Sequence, residues 1–266
     1  MTDKLLTPFS VTPDLLNDVN TLAAPSMLAV ALRAAHDELG QAVEGLTLNS
    51  YHAEFKQGAR EGEQVRVTIE KLADPSPVDR AYQVRFAAGD DTTGRVGKWH
   101  LHFNPHSSAR LLPYNLATAL ADQRTDRSLW RPDPAIASGD SIRDGQTLLW
   151  LAGQSARGYF RRLDEEMVAG LDSGTFQDDP KQRNYGGIKV IATFAGQPEP
   201  GCSLYCVPDY QIPLNQQKPS KLLDFQELLV SEVAGQTYLL GTVRFTIVRM
   251  SGGAAVYPNG SKDKPD

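Results

Sequence analysis

Polar residues inside otherwise apolar stretches mark where this sequence has the means for chemistry. Gln154 and Ser155 fall within the run Leu148, Leu149, Leu151, Ala152, Ala156, Tyr159, Phe160 and Leu163. That spacing predicts a helix from about Gln146 to Val168. Polar side chains at its centre need partners, so they are either core hydrogen bonders or site residues. Asp144, just ahead of the expected helix, is an acceptable N-cap, and capping alone accounts for it. The backbone N–H groups of Gly145 and Gln146 would then lie at the helix start, where two such donors form an oxyanion hole.

All five histidines lie between His36 and His106, so a reaction that needs a histidine base must draw it from the first half. His36 and Asp37 close the apolar segment Pro25 to Glu38, as a polar helix end or as a base with its partner. His52 and Glu54 share one face of an expected strand, which sets an acid beside a base or makes a solvent-facing polar stripe. His100 and His102 also share a face and, with His106, make a candidate metal cluster, but no carboxylate follows at ligand spacing. Cys202 and Cys206 are four apart in an expected strand. At roughly 3.3 Å per residue their Cα atoms are about 13 Å apart, too far for a disulfide. Two reduced, partly buried thiols are expected, with no metal.

The elements that must position these groups follow from period. Pro25 to Glu38 is apolar on nearly every face, carries Pro in its first turn and stops at Gly40, which describes a buried helix. Alternating stretches follow at Leu46 to Phe55, Gln64 to Leu72, Ala81 to Ala87 and Val96 to Phe103. The segment from Asn104 to Arg143 is rich in Pro, Asp, Ser and Arg and reads as a linker, with at most a short helix near Asn115 to Asp122. After the second helix come Ile188 to Phe194, Ser203 to Val207, Leu222 to Val230 and Thr237 to Val248. The tail after Met250 is Gly, Pro and charge, and is expected to be disordered.

Element order therefore repeats, and so do individual residues. Ala53-Glu54-Phe55, Gly62, Val65 and Val67 match Ala192-Thr193-Phe194, Gly201, Leu204 and Cys206 at a single offset. Gly97 to Phe103 matches Gly241 to Ile247 at a slightly larger one, which a turn insertion absorbs. With 266 residues and 41% hydrophobic content the chain has length for two cores. The expected units are 1–104 and 144–250, joined by 105–143 and followed by the tail 251–266.

A net charge of −5 with no Lys/Arg run argues against nucleic acid or an anionic membrane as the main partner. No signal-peptide core and no apolar run of membrane-spanning length occur in the sequence. A soluble, cytoplasmic protein is expected.

The pattern resembles the hotdog superfamily, in which a long apolar helix is wrapped by a curved antiparallel sheet. The carrying phrases are Phe55 to Gly62 and Phe194 to Gly201, each followed by alternating apolar residues. They look like that family's second-to-third strand turn, where Gly supplies a positive φ. The resemblance implies an α+β chain of two tandem hotdogs that handles acyl groups held as thioesters on coenzyme A or acyl carrier protein. It implies no cofactor beyond that carrier, and it allows a homodimer.

The family's catalytic phrases are degenerate here. Hydratase-type hotdogs carry Asp-x-Asn-Pro-x-His before the helix; Asn104-Pro105-His106 resembles a fragment of it in the wrong place. His102-Phe103, Leu112-Pro113 and Ala121 to Gln123 resemble phrases of the carrier-protein dehydratases, but no sheet follows to wrap a helix there. Hotdog thioesterases often have His-Gly-Gly at the helix start and a carboxylate about two turns on. The first helix offers Ala24-Pro25-Ser26 with Arg33, His36 and Asp37; the second offers Asp144-Gly145-Gln146 with Gln154 and Ser155. The leading expectation is hydrolysis of an acyl thioester around Asp144, Gln154 and Ser155. A 3-hydroxyacyl dehydratase or enoyl hydratase using His36 or His52, and an inactive acyl-binding protein, remain as alternatives.

Overall fold

In the computed structural model, residues 4–17, 20–40, 46–56, 58–74, 76–89, 95–105, 110–111, 133–169, 184–208 and 222–250 are described. Helix α1 spans Ala24–Leu39. Its N-terminus has no side-chain cap, but Pro25 sits in the first turn, where its missing N–H costs nothing. Gly40 ends it at φ +56°, its N–H donating to the His36 carbonyl. Met27, Leu28, Ala31, Leu32 and Ala35 are all buried, so the near-continuous apolar surface read from the sequence is a core helix.

Four long strands follow: β3 (Leu46–Phe55), β4 (Gln64–Lys71), β5 (Arg80–Ala88) and β6 (Arg95–Pro105). After helix α2 (Ser141–Ala169) come β9 (Asn184–Phe194), β10 (Ser203–Pro208), β11 (Leu222–Val233) and β12 (Gln236–Met250). Each expected strand is present, with ends shifted by at most a few residues. Four short strands were not expected: β1 (Lys4–Leu5) and β2 (Phe9–Ser10) pair with β4, while β7 (Arg110–Leu111) pairs with β12 and β8 (Ala135–Ile136) with β10. Two residues are too few to show a period, so the expected linker concealed two of them. The helix expected near Asn115 to Asp122, His106, and the tail after Met250 lie outside the described residues.

All of these strands form one antiparallel sheet, with both helices packed against it. The first four long strands stack β4-β5-β6-β3, the last four stack β10-β11-β12-β9, and β3 pairs with β9 from Ser50↔Thr193 to Glu54↔Lys189. Each half therefore has the same strand order, and the two meet edge to edge. Closing both edges on one another removes a row of unpaired backbone groups that each half alone would expose.

The residues that repeat in sequence occupy matching positions. Phe55 faces Gly97, and Phe194 faces Gly241. Gly62 and Gly201 both take positive φ, +78° and +81°, at the turn after each Phe. Val65, Val67, Leu204 and Cys206 all point into the core. At the seam, the Tyr51 ring lies 5.8 Å from Phe194 of the other half and 5.4 Å from Trp99 of its own, centroid to centroid. One apolar core consequently runs through both halves.

Candidate functional site

The last turn of α1, the first turn of α2, the start of β3 and the loop after β9 enclose a pocket of about 200 Å³. Leu32, Leu46 and Leu48 give it an apolar wall, and His36, Thr47, Ser141, Asp144 and Gln197 line it with polar groups. His36 reaches it because α1 carries His at the position one turn beyond Leu32, with Phe103 holding the ring edge-on at 5.9 Å. Burial lowers the His36 pKa below its ordinary value, and the nearby Asp140 and Asp37 carboxylates offset only part of that. The imidazole is therefore neutral near pH 7, the form that accepts a proton.

The start of α2 differs from the sequence reading. The helix opens at Ser141, and Asp140 is the capping residue: its Oδ1 accepts from the N–H groups of Ile142 at 2.8 Å and Arg143 at 3.1 Å. Those donors hold its carboxyl below the usual range. Asp144 thus does not cap the helix. It lies in the first turn, almost fully buried, and accepts from the Ser138 N–H at 2.7 Å, the Ser138 hydroxyl at 2.8 Å and the Gly139 N–H at 2.9 Å. A carboxylate engaged this way pins the loop ahead of the helix. Gly145 and Gln146 fall inside the helix, so their N–H groups belong to its i→i−4 ladder and are not free for an oxyanion. A Cβ at Gly145 would meet only Leu32 Cδ1, at 3.4 Å, an ordinary packing contact against α1.

Ser155 sits about three turns beyond Asp144 on the buried face of α2, fully enclosed, while Gln154 next to it is half-buried. Neither lines the pocket. Ser155 instead meets a residue that sequence reasoning missed: Glu227 of β11, also fully enclosed. Neither Glu227 carboxylate oxygen, nor the Ser155 hydroxyl, has a hydrogen bond of ordinary geometry among the described residues. Burial pushes the Glu227 carboxyl well above its usual range, and the adjacent Ser155 hydroxyl and Cys206 thiol only partly counter this. The same enclosure raises the Cys206 thiol. The signal for Glu227 was present in the alternation Phe225, Glu227, Leu229, which sets a carboxyl on an apolar face.

His52 stands on the opposite face of the sheet from the helices. Its Nε2 is 3.5 Å from Glu54 Oε1, and its ring stacks on His100 at 6.1 Å. Burial is the largest cause lowering the pKa of both His52 and His100, and the Lys98 ammonium lowers them further. Asp37 is exposed on α1 and contributes charge near His36 without lining the pocket. Among the described residues no three His, Cys, Asp or Glu side chains converge as a metal site, and no helix is long and apolar enough to cross a membrane. Cys202 and Cys206 are free and buried, Cys202 lying one residue ahead of β10.

No protein-family model and no curated protein sequence matches the chain. Solved structures do match over nearly its whole length. An acyl-ACP thioesterase from Bacteroides thetaiotaomicron superposes with TM-score 0.53 at 11% identity, covering 92% of this chain and 97% of its own. A 12:0-ACP thioesterase from Umbellularia californica gives 0.55 at 9% identity over 93% and 94%. An acyl-CoA thioesterase II from Mycobacterium marinum gives 0.52 at 11% over 89% and 94%. The chain has the hotdog fold of these thioesterases. At such identity it is the hotdog framework that is shared, and the residues doing any chemistry have to be argued from this chain's own geometry.

Proposed function

We propose that the chain is two tandem hotdog units, 1–104 and 144–250, and that it hydrolyses acyl thioesters carried on coenzyme A or acyl carrier protein. What carries the reading is the His36 pocket: a neutral imidazole beside an apolar wall, where α1 of one half meets the start of α2 of the other. Thioesterases of the same fold, carrying acyl-ACP or acyl-CoA in their names, support the substrate class.

In this reading the thioester carbonyl lies between His36 and the Ser141 and Thr47 hydroxyls, with its first methylenes against Leu32, Leu46 and Leu48. His36 accepts a proton from water as the water oxygen bonds to the carbonyl carbon. The hydroxyls and the start of α2 stabilise the oxyanion. Collapse breaks the C–S bond, and the leaving thiolate takes the proton from the imidazolium, giving acid and thiol. Asp140 and Asp37 favour the transient cation.

The test is thiol release from a panel of acyl-CoA and acyl-carrier-protein substrates by the wild-type chain and by His36→Gln. Loss of kcat by at least about a hundredfold in the variant, the usual worth of a positioned base, is expected. No thiol release at any chain length would eliminate the hydrolase. Equal activity in wild type and variant would remove His36 as the base. Enoyl-thioester absorbance followed alongside separates hydration from hydrolysis.

A further inference from the structure

The His36 pocket is graded in burial. Gly139 and Ser141 at its rim are exposed, His36 is half-buried, and Leu32, Leu48 and Asp144 at its floor are 8% exposed or less. Below that floor the side chains belong to the continuous core. One turn further in, α1 places Leu28 and α2 places Leu148, both buried, and Phe103 of β6 stands opposite Leu48. An acyl group entering from the rim therefore meets packed side chains after a short run.

The frame around the pocket is braced. Asp144 ties the loop ahead of α2 through its bonds to Ser138 and Gly139. That loop is in turn fastened to the turn between β9 and β10: the Ala137 N–H donates to the Cys202 carbonyl at 2.9 Å, and the Gly201 N–H donates to the Ala137 carbonyl at 2.9 Å. Gly139, at φ +83°, lets Pro200 of the same turn pack against it, since a Cβ there would meet Pro200 Cγ at 2.8 Å. Backbone held from two sides gives the pocket a set size.

We propose that this pocket selects short acyl groups, of about four to six carbons, and that Leu48 sets the limit. This rests on the hydrolase reading and adds the substrate class to it. A methylene needs about the room of a water, roughly 30 Å³, so a pocket of about 200 Å³ takes on the order of seven non-hydrogen atoms. The carbonyl carbon, its oxygen and the sulfur use part of that room, and what is left suits about three to five further carbons. The tail of a twelve-carbon acyl group would need roughly 330 Å³, more than the whole pocket. Leu48 governs the depth because it is the floor residue carried by the sheet, where pairing with Phe103 fixes its backbone.

Two measurements test it. Thiol release from straight-chain acyl-coenzyme A thioesters of two to sixteen carbons reads specificity. For the wild type kcat/KM should rise about fourfold per methylene up to the optimum and fall at least about tenfold beyond eight carbons, where the tail overfills the pocket. Leu48→Ala, which vacates the floor, should move the optimum about two carbons longer, and Leu46→Phe, on the half-buried wall, should move it shorter. If the alanine variant does not fold, Leu48→Val and Leu46→Phe carry the comparison. Calorimetry with S-butyl- and S-dodecyl-coenzyme A, thioethers that cannot be hydrolysed, reads the pocket without turnover, and the butyl analogue should bind more tightly. An optimum at ten carbons or more, tighter binding of the dodecyl analogue, or an optimum that neither substitution moves overturns the proposal and leaves the hydrolase standing. A butyl preference with no thiol release overturns the hydrolase and leaves the size selection standing.

Discussion

At the scale of single residues, two titrating groups give opposite pH signatures. His36 has a lowered pKa in the folded chain, so it contributes stability above its ordinary value of 6.5, and that contribution is lost as pH falls from there toward the lowered value. Its neutral form also persists below pH 6.5, so the acid limb of kcat/KM should lie below that value; a limb above it would show that another group is the base. Glu227 behaves the other way. Its folded pKa is raised, so its contribution is full below the ordinary carboxyl value of 4.5 and is lost as pH rises toward the raised one. Glu227→Gln should therefore flatten the fall in Tm between pH 5 and pH 9, with a gain on the order of 1–3 kcal/mol at the alkaline end. Parallel melting profiles for wild type and variant would refute this.

Among elements, the two strand pairs that repeat in sequence are not equally tight. A Cβ on Gly241 would meet the Thr193 carbonyl oxygen at 2.2 Å, and backbone cannot yield. A Cβ on Gly97 would meet Phe55 Cδ1 at 3.2 Å and Met27 Sδ at 3.3 Å, both side-chain atoms that can shift. Gly241→Ala should cost about 3 kcal/mol or more and Gly97→Ala about 1 kcal/mol, read from urea midpoints. The start of α2 gives a second comparison. Asp144→Ala strips three hydrogen bonds from the Ser138–Gly139 loop and should lower stability by roughly 3 kcal/mol. Asp140→Ala removes only an exposed cap, worth about 1 kcal/mol. The helix itself was legible in the sequence; its first residue was not, because Asp140 and Asp144 are equally good caps by type and differ only in what the folded loop offers them.

For the whole molecule, the sheet is continuous through β3 and β9, and Tyr51, Trp99 and Phe194 pack at that seam. The halves should therefore unfold together, with Trp fluorescence and far-ultraviolet circular dichroism giving coincident urea transitions. Tyr51→Ala, which empties the seam, should cost about 3–5 kcal/mol. Two separated transitions in the wild type would show that the halves are independent in stability.

Local pattern alone determined the two helices, the eight long strands and the repeat, because side-chain period and the demand for glycine at a positive-φ turn are set by neighbours in the chain. Gly62 and Gly201, Phe55 and Phe194, and the apolar faces of α1 and β3 were readable for that reason. Gln154 and Ser155 were readable as polar residues in an apolar helix, but not which of them points inward. Tertiary structure decided the rest. It brought His36 to Ser141 across more than a hundred residues, spent the Asp144 carboxylate on a loop, drew Gly145 and Gln146 into the helix ladder, and set Ser155 against Glu227. A hydrogen bond or a desolvation penalty depends on what lies within a few ångströms in space, and sequence spacing fixes that only within a single element.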